Sequence, residues 1–189
     1  MKQKSIATIA VFGTFWGFIE ATLGNALHLL HLPFSGSILA SIALIIILTA
    51  RIYNPTRGST FLMALIAASI KALSFATVKL GPFIAIIAEG ALIELILIIF
   101  RPGRLGFFAS GLVMALTPLI QTIIVKTVLF GSNFVPVIIE LAEGFSNRIG
   151  YRAGWWLLSI YLSAQVLLPL IAAYLAWILK KRLVLHSQN

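Results

Sequence analysis

Apolar residues fall into six long runs, at 6–28, 38–50, 60–78, 82–100, 105–130 and 155–179. A helix rises about 1.5 Å per residue and bilayer hydrocarbon is about 30 Å thick, so about 20 mostly apolar residues make a span. The second run is short by that measure. Turn residues separate the runs: Pro33 with Ser35-Gly36, Asn54-Pro55-Thr56-Arg57-Gly58, Gly81-Pro82, and Arg101-Pro102-Gly103-Arg104. Backbone in lipid must satisfy its own hydrogen bonds, so the runs predict helices. A β-barrel would show short alternating strands, and Leu44–Leu48 does not alternate. The expected architecture is all-α, a polytopic bundle of six transmembrane helices forming a single integral-membrane domain over 1–189.

Composition supports that pattern. The chain has 189 residues, of which 60% are hydrophobic and 10% charged. Its mean hydropathy is +1.06. A soluble domain carries roughly 45–50% apolar and about 25% charged residues, so a water-soluble globule is excluded. With no cysteine, disulfides and thiolate metal sites are excluded. There is no aspartate, and the acidic residues are Glu20, Glu89, Glu94, Glu140 and Glu143.

The net charge of +9 does not mark a nucleic-acid binder, because the basic residues lie in short clusters between apolar runs. They instead orient the helices. Lys2, Lys4, Arg51, Arg57, Arg101, Arg104, Lys180, Lys181 and Arg182 fall on one side of a six-helix path, and Lys79, Arg148 and Arg152 on the other. The positive-inside rule then places both termini in the cytoplasm of a multi-pass plasma-membrane protein. Trp155 and Trp156 would lie at the outer interface and Trp177 near the inner one. The first run is too long for a cleavable signal and is read as helix 1. No internal repeat is visible, which disfavours an inverted-repeat transporter.

The longest polar interval, 131–154, lies outside by this topology. Val135, Ile138, Leu141, Ala142 and Phe145 recur there at helical spacing, with Glu140, Glu143 and Asn147 off that face. An amphipathic outer segment between helices 5 and 6 is expected, either resting on head groups or covering a cavity.

Candidate chemistry lies within the runs. An ionisable residue in a span costs roughly 2.5–3.5 kcal/mol on insertion scales, so it normally faces a partner or a cavity. Glu20, Lys71, Glu89 and Lys126 fall in the outer half and Glu94 near the middle, as expected for an outward-opening pocket. Counting from a tight turn at Gly81-Pro82 puts Lys71 and Glu89 within roughly 3 Å in depth, close enough to pair. That pair could be structural or functional. On helix 1, Gly13, Gly17, Glu20, Gly24, His28 and His31 share an arc of about 80° at 100° per residue. The stripe is small at its inner end, where Ala21 continues the Gly13–Gly17 spacing, and polar at its outer end. Small residues let another helix approach closely, in this bundle or in a partner. His28 is the better pocket candidate, since His31 lies just before Pro33. Asn25, Gln121, Thr122 and Gln165 are further polar candidates, and Pro118 and Pro169 are expected to bend helices 5 and 6.

In helix number, length, sidedness, outer pocket and small-residue stripe, the chain resembles the substrate-binding S component of energy-coupling factor transporters. The run from Phe15 through Asn25 and the stretch from Arg57 to Lys71 carry that impression. The resemblance implies uptake of a vitamin-like nutrient. It implies a substrate site drawn from Glu20, Asn25, His28, Lys71, Glu89 and Lys126, and as partners a membrane coupling subunit and cytoplasmic ATPases. Family members meet the coupling subunit through an A-x-x-x-A pattern on helix 1, where this chain has Gly13, Gly17 and Ala21.

No G-x-x-x-x-G-K-[ST], H-E-x-x-H or G-x-S-x-G motif is present, so no ATPase, catalytic residue, metal or cofactor is expected. Two rival classes stand beside the importer. One is an intramembrane enzyme using Glu20 and His28 as acid and base. The other is a structural assembly subunit with polar groups as interhelical glue.

Overall fold

The computed structural model describes residues 3–30, 34–74, 80–130 and 155–186. Of residues 28, 80, 121–130, 155–158, 161 and 184–186 it describes the backbone alone. The described residues form six helices and no strand: α1 (Gln3–Leu29), α2 (Ser35–Tyr53), α3 (Ser59–Leu73), α4 (Leu80–Phe100), α5 (Arg104–Phe130) and α6 (Trp155–His186). Four of them, α1, α2, α4 and α6, are long and apolar enough to cross a membrane. The amphipathic segment expected between helices 5 and 6 lies outside the described residues.

Five helices cover their expected runs and the third covers only 60–73 of 60–78, with differences that have physical causes. The second is lengthened at both ends and takes in Arg51, whose guanidinium is buried rather than set in a solvated loop. The third stops at Leu73. Gly81-Pro82 does not join two helices but lies in the first turn of α4, where proline's missing N–H costs no intrahelical bond. Pro118 and Pro169 lie inside continuous helices.

Neighbouring helices close a ring in the order α1, α3, α4, α5, α6, α2 and back to α1, with α2 also lying against α5. One apolar core draws on all six, from Ile9 and Trp16 through Leu44, Ala67, Ile93 and Phe107 to Ala173. Outside it, Val11, Phe15 and Phe18 on α1, Leu95 and Ile99 on α4, and Leu167 and Ile171 on α6 are exposed. An apolar exterior of this extent suits contact with lipid rather than water.

Glycines set the closest approaches. A Cβ on Gly13 would come 3.1 Å from the Met63 carbonyl oxygen, and one on Gly17 would come 2.9 Å from Ala67 Cα. The partners on α3 advance as the glycines do, so α1 and α3 run parallel. A Cβ on Gly90 would come 2.2 Å from that of Ala64, while Glu94 bonds to Thr60, so α3 and α4 are antiparallel.

Contacts gather one end of every helix. Ser5 bonds to Asn54, Arg51 pairs with Glu94, Phe107 meets Trp177 edge-on, and Lys180 donates to the Pro102 carbonyl. The start of α1 and the end of α6 therefore share one end of the bundle. Lys4, Arg57, Arg101, Arg104, Lys180, Lys181 and Arg182 are there as well.

Candidate functional site

Two buried polar clusters lie in the bundle, and they differ in kind. The first sits at the terminal end. Glu94 Oε1 accepts from the Gly58 backbone N–H at 2.7 Å, and Oε2 accepts from that of Thr60 at 2.9 Å. These are donors at the start of α3 that have no intrahelical acceptor, so a side chain from α4 caps α3. Gly58 itself has φ +84, a conformation glycine takes without a Cβ penalty. The Arg51 guanidinium stands 3.6 Å from Glu94 Oε1. It also donates to Ser59 Oγ at 2.8 Å and to the Thr56 carbonyl. Asn54 Oδ1 accepts from Ser5 and Thr56, tying the α2–α3 connection to α1. Glu94 therefore holds three helices and is not a pocket group. Nothing in a pattern of periodicity singled it out. The available signal was a helix start, Gly58-Ser59-Thr60, with no acidic residue in its first turn.

The second cluster lies deeper, toward the other end. Lys71 Nζ donates to the Glu20 carbonyl and, at 3.2 Å, to Asn25 Oδ1. Gly24 makes room for that ammonium, because a Cβ there would come 2.9 Å from Nζ. Trp16, one turn below Glu20, is 1% exposed. Its indole N–H is directed at the Glu20 carboxylate without closing a hydrogen bond. Glu20, Lys71 and Glu89 are each 8% exposed.

Lys71 and Glu89 do not pair. The contacts Thr60–Glu94 and Ala64–Gly90 fix the α3/α4 register, which sets Lys71 level with Phe83. That is six residues, or about 9 Å, beyond Glu89. Counting from Gly81-Pro82 failed because that dipeptide lies in the first turn of α4 rather than between the two helices. Lys71 turns to α1 instead. Glu20 and Glu89 lean toward each other, since side chains tilt toward the N-terminus of their own helix and α1 and α4 run in opposite directions. Each carboxylate lies within range of the other's charge.

Of the six expected substrate-site residues, Glu20, Asn25 and Lys71 are thus brought together, and Glu89 lies toward Glu20. The side chains of His28 and Lys126 lie outside the described residues. The backbone of Lys126 does not share the depth of Glu89. Leu97 lies against Gly106, so Glu89 is level with Met114, about 18 Å along α5 from Lys126. Gln165, on α6, accepts a hydrogen bond from Ser37 on α2, with both side chains buried. It is an interhelical bond between α2 and α6.

The small-residue face expected to receive a partner subunit is already occupied. Gly13 and Gly17 are buried against α3; only Ala21, at the end of that spacing, is partly exposed. The close approach that small residues allow is used within the bundle.

No family model matches the chain, and neither a curated protein nor a solved structure matches it.

Proposed function

We propose that the chain is the substrate-binding subunit of a membrane importer of the energy-coupling factor type. It captures a small polar nutrient in the outer half of a six-span bundle and passes it on with an energised partner. The observation carrying this reading is the burial of three ionisable side chains, Glu20, Lys71 and Glu89, on three helices, with half-buried Asn25 bonded to Lys71. The basic residues at the terminal end support a cytoplasmic placement of that end, which leaves the cluster toward the outside. The shorter α3 crosses in the company of α1 and α4. The coupling partner would dock on a surface other than Gly13 and Gly17.

A structural-subunit reading has one observation in its favour, the closure of Lys71 onto Glu20 and Asn25. It gives no account of a buried Glu89.

The reading is tested on the full chain by native mass spectrometry for a retained small molecule. Reporter fusions at residue 189 and near Gly103 are made in parallel. A retained, chemically unaltered solute and cytoplasmic signals at both positions are expected. A solute released in altered form would replace the binding subunit with an enzyme. Absence of any retained solute, or an external signal at either fusion, would defeat the reading.

A further inference from the structure

The charges of the deeper cluster do not balance. Glu20 and Glu89 supply two carboxylates and Lys71 one ammonium, whose described bonds go to a carbonyl and to Asn25. Among the described residues Glu89 makes no hydrogen bond and no ion pair, although it is 8% exposed. A carboxylate so placed is strongly unfavourable unless a proton neutralises it or a positive group meets it. Among the described residues no cationic side chain is placed to do so. Lys71 is about 9 Å farther out and Lys126 farther still by helical register. The second unpartnered group is the Trp16 indole N–H, buried on the Glu20 side of the cluster. It needs an acceptor.

We propose, on the basis of the binding-subunit reading, that the solute is a small organic cation with one net positive charge. Its cationic nitrogen is held by Glu89 and shared with Glu20, and an acceptor atom on the same molecule takes the Trp16 N–H. Two features favour an organic cation over a metal ion. Among the described residues no group of three or more His, Cys, Asp or Glu could hold a metal, whereas hard cations take about six or more oxygen ligands. An N–H donor beside the site is of no use to a bare ion and suits a molecule with a lone pair. The indole also offers a flat aromatic surface for a planar or cationic solute.

The test uses three probes of similar shape at pH 8: histamine as cation, imidazole-4-ethanol as neutral analogue and imidazole-4-acetate as anion. Binding to the purified full chain is read by thermal stabilisation in detergent, in potassium-free buffer with and without sodium chloride. Histamine should stabilise the protein, and the other two should not. Glu89→Gln keeps the size and removes the charge. It should weaken histamine at least about tenfold, the scale of one charge-assisted hydrogen bond. Trp16→Phe keeps an aromatic ring, a smaller one, and removes the donor, and should weaken histamine several-fold, so the test survives if one variant does not fold. Equal binding of the neutral or anionic probe, or full histamine binding by Glu89→Gln, would overturn the inference. Glu89-dependent stabilisation by sodium chloride alone would overturn it in favour of an inorganic ion. If no probe binds, the inference falls. A neutral or anionic solute found by mass spectrometry would sink it too, while leaving the binding-subunit reading intact.

Discussion

Replacing Glu94 with alanine tests the terminal cluster most directly. The substitution leaves the Arg51 guanidinium, 2% exposed, without its counter-ion. It also removes the acceptor from the Gly58 and Thr60 N–H groups. Breaking a buried pair by removing one partner costs about 3–5 kcal/mol. Arg51 keeps Ser59 Oγ and the Thr56 carbonyl, so about 3 kcal/mol is expected, the low end of that range. Glu94→Gln retains one acceptor oxygen and loses the charge, and should cost about half as much. The double variant Arg51→Met with Glu94→Leu removes both charges and should recover most of the loss, because buried pairs are often replaceable by apolar packing. It should not recover all of it, since the start of α3 stays uncapped. Unfolding in mixed micelles, with denaturing detergent as perturbant and far-UV circular dichroism as readout, gives the differences. If Glu94→Ala cost less than about 1 kcal/mol, or as much as the double variant, the ion pair and cap would not hold the helices as described.

Two further substitutions probe the helix contacts. Gly17→Ala puts a methyl group 2.9 Å from Ala67 Cα and from Ile70. Backbone cannot yield as a flexible side chain can, so a loss of about 1–3 kcal/mol is expected in the same assay. An unchanged midpoint would contradict the α1/α3 register. Ser37→Ala leaves Gln165 buried without its hydroxyl donor. It should cost about 1–3 kcal/mol, and adding Gln165→Leu should restore most of that; no recovery would show that Ser37 stabilises by another route.

The helices were legible because lipid leaves the backbone few options. Runs such as 82–100 and 105–130 came within two residues of α4 and α5. The outer-half placing expected of Glu20, Lys71, Glu89 and Lys126 rested on depth, which residue counting approximates along one helix. What counting could not supply was the register between helices. Arg51 looks like an unremarkable charge at a span end, and Glu94 like one more polar group near the middle of its span. Only the seating of Gly90 on Ala64 brings Glu94 to the start of α3. The same blindness let Lys71 and Glu89 look level. Helical periodicity likewise shows that Gly13 and Gly17 share a face, but which helix fills that face is decided by α3 running parallel to α1.

The capping of α3 from α4 bears on how the protein is made. The first N–H groups of α3 find their acceptor in a residue that the ribosome adds 34–36 positions later. Until Glu94 emerges, this 15-residue helix is short for a bilayer and has bare donors at its leading end. Buried Arg51, just before it, is likewise uncompensated. Insertion of α3 one helix at a time would put those groups into lipid. Entry of α3 and α4 together as a hairpin would carry donors and carboxylate across the interface already joined. A nascent chain stalled before Glu94 leaves the insertion machinery should therefore keep α3 in contact with that machinery, and release should follow the appearance of a single carboxylate.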